Sequence, residues 1–291
     1  MLTTATRLDA PPITQGETLL AELHAEVVAA LGPELAQTLR IERAVLGVFF
    51  TGVKLSNGVG GLCATPIKSV PEAVCCPSSA MAMPVPGKIA GRNAVQWLQD
   101  LYRPQDLRRA LAIATLNALV DTLWLRDGPP PGARGQAGDA FDALGIAPGQ
   151  RVVLVGAFVP YMRELRKRGQ SFGVLELDLS TLRPDERVFH IPQERAAQAI
   201  AEADVLITTG TTLINGTLDG LLQHLRPGAQ AAVVGPTATL WPAPFARRGT
   251  TVVGGTRVTD ADALLDLLSE GGSGYHFFGK SVERVSLCVN P

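Results

Sequence analysis

The sequence carries almost no excess of either charge. Its 26 Lys and Arg residues are balanced by 27 Asp and Glu residues, which gives a formal net charge of −1 and a pI near 6.4. The basic residues do not gather into a dense run, so nucleic acid is not expected as a partner. Arginines on the predicted helices are expected to lie on solvated faces. These are Arg108, Arg109, Arg163, Arg166 and Arg168.

Long hydrophobic runs are also missing. Residues 1–12 do not combine a basic start with an apolar stretch, as a secretory signal would. The apolar run at residues 44–53 contains two glycines and is followed by Lys54, so it is too short to cross a bilayer. We therefore expect a soluble, cytoplasmic protein with no membrane partner.

Cysteine is scarce, with four residues at Cys63, Cys75, Cys76 and Cys288. In a cytoplasmic protein of this size we expect reduced thiols and no disulfide framework. Cys63, Cys75 and Cys76 are candidate ligands for a soft metal, because thiolates select zinc, copper(I) and iron–sulfur centres. The C-x₂-C spacing of a structural zinc site and closely spaced histidine pairs are both absent. Two interpretations stay open: a metal site assembled across the fold, or small buried or redox-active thiols.

What the sequence does contain is a change of pattern near its middle. With 291 residues it is long enough for two domains, and residues 1–127 predict a small α+β domain. Its predicted elements are a helix at residues 17–39 with a break near Gly32-Pro33, two β-type runs around Ser56-Asn57-Gly58, and helices at residues 93–102 and 105–126. The last helix is apolar on almost all sides, so it is expected to be buried.

Residues 128–149 are predicted to form a linker and a short helix. The stretch RDGPPPGARGQAG contains three consecutive prolines followed by glycines, which suit neither a helix nor a strand interior.

Residues 150–291 alternate between apolar strand-like runs and helical patterns. The predicted strands are residues 152–155, 172–177, 205–208, 230–234 and 250–253, and the predicted helices are residues 161–168, 193–201, 217–225, 244–248 and 260–268. This alternation predicts a parallel sheet covered by helices on both faces. Residues 282–289 are expected to add an edge strand.

Small hydroxyl residues and glycine follow the strand at residues 205–208. In a doubly wound sheet, ligands bind outside the carboxyl ends of the strands, where the strand order reverses. Thr209-Gly210-Thr211-Thr212 lies at such an end and leads to a helix start, where free N–H groups and the helix dipole can meet a polar ligand. The alternative is helix capping by Asn215 or Thr217. Because capping needs only one such residue, ligand contact by residues 209–212 and Asn215 is the favoured interpretation.

Other strand ends supply further candidates. The first strand of this half exits as GAFVPY, with Gly156 and Phe158 as candidate ligand contacts, and its single glycine does not match the dinucleotide fingerprint. Glu176 and Asp178 end the second strand, where nucleotide-binding relatives of this architecture hold a ribose, although acids at strand ends are common without that role. Gly235 closes the fourth strand and forms either another wall of the crevice or a simple turn.

Two asparagines of the first domain complete the candidate site. Asn57 lies in the predicted hairpin turn, and Asn117 is a polar residue on the apolar helix. A buried Asn must be hydrogen-bonded, so Asn117 either ties down a loop or points into a cleft between the domains.

The second half resembles the putative heavy-metal chelation domain family over residues 151–287. The resemblance lies in VVLVGAFVPYMRELR, ADVLITTGTTLINGTLDGLL, AVVGPTATLWPAPFARRG and GGTRVTDADALLDLLSEGG, in that order and spacing. SNGVGGLCATP and AIATLNAL resemble the companion domain of that family, which is similar in fold to the amino-terminal domain of enolase. The resemblance implies a Rossmann-like domain after an enolase N-terminal-like domain, a site between them, and a link to metals or metal chelates such as tetrapyrroles. The stretch VCCPSSAMAMPVPGK departs from the family pattern and favours a soft metal.

Three functional hypotheses follow. The leading one is binding of a metal ion or metal-containing chelate in the crevice between the domains. The second is a transferase-type enzyme with an adenosine cofactor such as S-adenosylmethionine, held at the ribose by Glu176 or Asp178. The third is a non-catalytic sensor or assembly factor of a metal pathway. A homodimer is a further expectation.

Overall fold

The structure contains a small antiparallel sheet and a large mixed sheet. The computed structural model describes residues 18–69 and 85–289, so Cys75 and Cys76 lie outside the described residues. The small sheet has three strands and the large sheet has seven. In the part of the chain that is described, no helix is long and apolar enough to span a membrane.

The first unit begins with a long helix that is bent in its middle. Helix α1 (Leu19–Thr38) starts at Thr18, whose side chain accepts a hydrogen bond from the Ala21 N–H at 3.2 Å. Gly32 leaves the helical region with φ of 77°, and Pro33 follows it. The predicted break near Gly32-Pro33 is therefore confirmed.

Three strands then form the small sheet, in the order β1-β2-β3. They are β1 (Ile41–Leu46), β2 (Phe50–Leu55) and β3 (Gly60–Ala64). The turn between β2 and β3 lies at Asn57-Gly58, where Gly58 has φ of 86°, and this confirms the predicted hairpin. The expectation of only two β-type runs was wrong. The first run folds back at Gly47, whose N–H donates to the Phe50 carbonyl at 3.0 Å, and no polar turn residue marks that point.

A buried helix covers the small sheet. Helix α2 (Ala94–Trp97) continues into a 3₁₀ turn, and α3 (Asp106–Asp127) follows, close to the predicted bounds. At Gly61 the strand β3 approaches α3 so closely that a Cβ atom would lie 2.1 Å from the Ala114 carbonyl oxygen. Only glycine permits this approach of the two backbones.

The second unit alternates strands and helices as the sequence predicts. Its strands are β4 (Ala133–Ala137), β5 (Val152–Val155), β6 (Phe172–Leu175), β7 (Val205–Thr209), β8 (Gln230–Val234), β9 (Val252–Val258) and β10 (Val282–Val289). Its helices are α4 (Ala140–Ala143), α5 (Val159–Lys167), α6 (Ala196–Ala201), α7 (Leu218–Leu222), α8 (Ala243–Ala246), α9 (Ala261–Ser269) and α10 (Gly274–Phe277).

The strand order of the large sheet is β4-β10-β9-β8-β7-β5-β6. Strands β5 to β9 are parallel, and Val153 of β5 pairs with Gly173 of β6 on one side and with Leu206 of β7 on the other. Numbered along the chain, the five parallel strands have the order 2-1-3-4-5, as in flavodoxin-like sheets. The predicted Rossmann-like, mostly parallel fold class is confirmed.

The antiparallel side of the sheet differs from the prediction. Strand β10 pairs with both β9 and β4, so it is not an edge strand, and β4 occupies the edge instead. Strand β4 lies in the segment that was expected to be a linker, while α4 matches the short helix expected there. Arg134 and Gln136 of β4 are exposed, and an exposed polar edge strand lacks the apolar pattern that would reveal it.

The two units share one apolar core. A single buried cluster contains Leu111 and Leu116 of α3 together with Leu206 of β7 and Val233 of β8, all fully buried. Burying each such side chain stabilises the fold by about 1.5–3 kcal/mol. The units therefore cannot separate without exposing apolar surface.

We predict that Gly61→Ala destabilises the protein by about 3 kcal/mol, because the new methyl group would overlap the backbone of α3 at Ala114. Gly220→Ala is the matched control, since a Cβ atom at Gly220 in α7 meets no atom within 4 Å. The control should keep the stability or raise it by up to about 1 kcal/mol. Urea unfolding of both variants measures the difference, and equal midpoints would contradict the close approach.

Candidate functional site

The carboxyl ends of β5 and β7 form the switch point of the large sheet. From β5 the chain continues to β6 on one side, and from β6 it crosses to β7 on the other. Gly156 follows β5 and Thr209 ends β7, and both are half-buried. The strand order therefore creates the kind of crevice in which ligands of such sheets bind.

Gly156 lets the chain turn sharply at this crevice. It has φ of 104°, and a Cβ atom there would lie 3.1 Å from the Thr209 Cγ2 atom. Both the backbone angle and the contact with Thr209 therefore favour glycine. Gly235, at the end of β8, has φ of 118° and donates its N–H to the Gly254 carbonyl at 2.8 Å. Gly235 thus makes the turn that was one of its two predicted roles.

Phe158 follows Gly156 at the start of α5. Its ring stacks on Tyr161 with 5.1 Å between the ring centroids and an interplanar angle of 10°. Tyr161 in turn donates a hydrogen bond to Asp139, and burial raises the pKa of its hydroxyl, with Asp139 raising it further. Phe158 is half-buried and lies two residues after Gly156.

Glu176 holds two loops of the switch point together. One carboxylate oxygen accepts a hydrogen bond from the Ala157 N–H at 3.1 Å, and the other accepts one from the Asp178 N–H at 3.1 Å. The carboxylate thus joins the loop after β5 to the loop after β6. A ribose would have to compete with these backbone donors for Glu176.

Asp178 is paired across the two units. Lys68 of the first unit donates a hydrogen bond to one carboxylate oxygen, and Ser180 donates to the other through its backbone N–H and its hydroxyl. The Lys68 ammonium holds the pKa of Asp178 well below its usual range, and the Ser180 hydrogen bonds lower it further. The second predicted ribose ligand is therefore also engaged.

The segment of residues 209–217, called here the threonine loop, satisfies most of its side-chain hydroxyl groups internally. Thr212 donates its hydroxyl to the Thr209 carbonyl at 2.6 Å, and the Thr209 hydroxyl accepts from the Thr211 hydroxyl at 3.2 Å. Asn215 accepts from the N–H and hydroxyl of Thr217 at 3.2 and 2.7 Å. Thr212 is buried, Asn215 is exposed, and Thr209 and Thr211 are half-buried.

Gly210 is covered by the loop that follows β8. A Cβ atom at Gly210 would lie 2.6 Å from the Ala238 backbone nitrogen, so this loop packs directly on the threonine loop. On its other side the same loop contacts the first unit, because the Thr237 hydroxyl accepts the Ala64 N–H at 3.0 Å. Residues 236–238 therefore lie between the threonine loop and β3, while Thr209 and Thr211 keep part of their surface exposed to solvent.

Asn117 donates hydrogen bonds to both units and borders a small cavity between them. Its side-chain N–H₂ donates to the Leu62 carbonyl at 2.8 Å and to the Pro236 carbonyl at 3.2 Å. The cavity is lined by Asn117, Val120, Asp121, Trp124, Leu240 and Thr256 and has room for about one water molecule. Asn117 thus ties down the loop after β8 and borders the space between the units, and its role in ligand contact stays a prediction. Asn57, by contrast, is exposed, and its side-chain amide donates to the Thr122 hydroxyl within the first unit.

Cys63 is fully buried, which disfavours the thiolate form that a metal requires. Burial raises the pKa of its thiol to about 12, with a small opposing effect from Thr237. Its sulfur lies 3.7 Å from the Thr237 hydroxyl and 3.5 Å from the Ala64 carbonyl. Within residues 18–69 and 85–289 no group of three or more His, Cys, Asp or Glu side chains is placed to hold a metal ion. Cys75 and Cys76 lie outside these residues.

Arg109 was expected on a solvated helix face, and this was wrong. Arg109 is only 6% exposed, and its guanidinium donates to the carbonyls of Leu101, Arg103 and Ile214. Burial lowers its pKa, although Asp106 opposes this shift. The contact with Ile214 ties α3 of the first unit to the threonine loop. The sequence signal for this burial is the helical spacing, because Arg109 lies on the same face of α3 as Ile113 and Leu116.

A second buried charge on α3 was also missed. Asp121 accepts a hydrogen bond from Arg257 of β9, and the Arg257 guanidinium lies 5.0 Å from the centroid of the Trp124 ring. Burial raises the pKa of Asp121, while Arg257 opposes the shift. This ion pair is a further link between the two units.

A short serine motif does not belong to the site. Gly169-Gln170-Ser171-Phe172-Gly173 matches the G-x-S-x-G pattern of hydrolase nucleophiles. The pattern requires a turn from a strand into a helix. Here the chain leads from α5 into β6, and Ser171 is exposed at the amino end of that strand.

Comparison with known proteins identifies related sequences and folds. The sequence model of a family described as putative heavy-metal chelation (DUF364) matches residues 139–286, and a second model with the same description (DUF4213) matches residues 28–120. An uncharacterized protein of Methanocaldococcus jannaschii is 29% identical over 132 residues, which are 45% of this chain and 50% of that protein. The chain thus aligns with about half the length of this relative.

Two solved structures share the fold along nearly the whole chain. A protein of unknown function of the DUF364 family from Pyrococcus horikoshii is 19% identical, with a TM-score of 0.71, and the match covers 94% of this chain and 100% of that chain. A protein of the same family from Desulfitobacterium hafniense is 16% identical, with a TM-score of 0.69, and the match covers 92% and 98%. The resemblance inferred from the sequence is confirmed.

We predict that Arg109→Met destabilises the protein by about 3 kcal/mol, because two buried carbonyls and one partly buried carbonyl lose a charged donor. Hydrogen exchange of the threonine-loop amides should also accelerate, since the Ile214 anchor is gone. Arg103→Met is the control, because the Arg103 side chain is 60% exposed and should change stability by about 0.5 kcal/mol or less. Equal behaviour of the two variants would contradict the anchoring role.

Proposed function

Since the chain belongs to the putative heavy-metal chelation family, we propose that it binds a metal ion or small metal chelate in the crevice at the carboxyl ends of β5 and β7. The family description supports a metal-binding role in general. The observation that carries the location is the half-buried edge formed by Gly156, Thr209 and Thr211 at the switch point of the sheet.

The chemistry of this edge favours a chelate or a thiolate-bound ion over a bare hard cation. Hard cations such as Ca²⁺ and Mg²⁺ require several free oxygen ligands, carboxylates above all. The carboxylates that follow β6 are engaged, Glu176 with two backbone amides and Asp178 with Lys68. A ligand here would contact backbone, the hydroxyls of Thr209 and Thr211, and the half-buried ring of Phe158. The same engagement of both acids gives no support to an adenosine cofactor held through its ribose.

The thiolates proposed for this role are those of Cys75 and Cys76. The turn Ile67–Ser69 precedes them, and the Lys68–Asp178 ion pair holds it beside the loop that follows β6. Cys75 is seven residues beyond Lys68, a distance of up to roughly 25 Å in an extended chain. The covalent chain therefore allows these thiolates to reach the crevice. Cys63 is not included, because it is fully buried and burial raises the pKa of its thiol, which disfavours the thiolate.

We expect wild-type protein, purified without oxygen from cells supplied with zinc, copper, nickel and cobalt, to carry stoichiometric soft metal. The Cys75→Ser/Cys76→Ser variant should lose that metal, because two soft ligands are replaced by weak oxygen donors. Cys63→Ser and Cys288→Ser are the matched controls and should keep it. Elemental analysis measures the metal, and native mass spectrometry of the same samples reports any small ligand and tests the proposed homodimer.

The location is tested separately with two substitutions on the threonine loop. Thr211→Arg would fill the half-buried edge, whereas Thr217→Arg changes an exposed position of the same loop. In competition titrations with copper(I) or zinc(II), Thr211→Arg should weaken binding at least about tenfold, or 1.4 kcal/mol, and Thr217→Arg should not. Wild-type protein that carries no metal and binds neither ion would refute the function. Retained affinity in Thr211→Arg would refute only the location.

A role as a non-catalytic sensor or assembly factor of a metal pathway stays a prediction. It would bind the same ligand without turnover and would retain a partner protein.

A further inference from the structure

A surface cleft lined by three arginines lies beside α5. Its lining residues are Val159, Arg163 and Arg166 of α5, and Arg183 and Glu186 of the segment after β6. The cleft has a volume of about 100 Å³, which is smaller than the sites of drug-sized ligands and suits a small anion. It is distinct from the crevice at the switch point, since neither Thr209 nor Gly156 lines it.

The sequence spacing brings the arginines of α5 to one face. Val159, Arg163 and Arg166 are separated by four and three residues, so they follow one another along one side of the helix. The opposite wall is fixed by Glu186, whose side chain is 7% exposed and accepts the Arg183 backbone N–H at 3.0 Å. Both walls therefore belong to ordered, hydrogen-bonded structure.

The guanidinium groups differ in how they are held. Arg166 donates to Asp185 at 2.8 Å and lies 5.8 Å from the centroid of the Phe189 ring. Arg183 has its Nε atom 3.9 Å from Glu186. Arg163 has no hydrogen bond or carboxylate partner anywhere in the described parts of the chain. The lining thus contains three positive groups and one carboxylate.

We propose that this cleft binds a phosphate group, either free or carried by a small phosphomonoester. Planar guanidinium groups donate pairs of parallel hydrogen bonds to phosphate oxygens, and several of them together match its double charge. Arg163 supplies the unpaired charge, while Arg166 and Arg183 are already oriented toward the same space. The site does not depend on the metal-binding function proposed above.

Titration calorimetry with inorganic phosphate tests this site, at an ionic strength held constant with chloride. Phosphate should bind saturably, and Arg163→Gln and Arg183→Gln should each weaken it at least about tenfold, because each removes one guanidinium. Arg168→Gln is the control: it removes the same charge just beyond the carboxyl end of α5, but Arg168 pairs with Glu164 at 2.9 Å and does not line the cleft. All three arginines are exposed, so the variants should fold, which their unfolding curves will verify.

A parallel titration with ribose 5-phosphate separates the two sources of phosphate. Tighter binding of the ester than of inorganic phosphate supports a phosphorylated small molecule, and the reverse supports the free anion. The proposal is overturned if phosphate produces no more heat than added chloride. It is also overturned if Arg163→Gln binds phosphate as well as Arg168→Gln does.

Discussion

The burial of α3 against both sheets is the constraint on which the rest of the structure depends. Leu111 and Leu116 join the core of the small sheet to that of the large sheet, so the two units behave as one packed body. Polar groups trapped on such a helix must find partners. Arg109 and Asn117 find theirs at Ile214 and Pro236, across the boundary between the units. Apolar burial thus brings the units together, and these few directional bonds set how they lie over the switch point.

The same switch point shows how charge is distributed around a site. Glu176 and Asp178 follow β6, and both carboxylates are engaged, Glu176 by two backbone amides and Asp178 by the Lys68 ammonium. These two carboxylates hold the loops after β5 and β6 in place. What this edge presents to a ligand is therefore mainly backbone and hydroxyl groups, with small residues such as Gly156 and Thr209 allowing close approach. By contrast, the arginines beside α5 leave a net positive charge at a neighbouring surface. The cleft beside α5 should therefore select an anion, whereas the crevice at the switch point should not.

Much of the fold could be predicted from local pattern, and most of the site geometry could not. Asn57-Gly58 marked the hairpin and the alternation of strands and helices marked the parallel sheet, because both signals lie within short windows of sequence. Strand β4 was missed because its partner, β10, is far away in the chain and its own residues are polar. Arg109 was misassigned because its type suggested solvent while its spacing placed it in the core. The partners of Asn117, Cys63 and Asp178 depend on how the two units dock, which no local pattern encodes.

Strand β10 also has a consequence for the order in which the molecule can assemble. It lies between β9 and β4, and about 145 residues separate β4 from it along the chain. The parallel strands can associate through their own crossovers as they are made, but β4 has no neighbour until β10 is in place. Completion of this side of the sheet is thus a late, long-range step of folding. Until then β4 is unpaired, and its polar residues Arg134 and Gln136 favour contact with water over association with other chains.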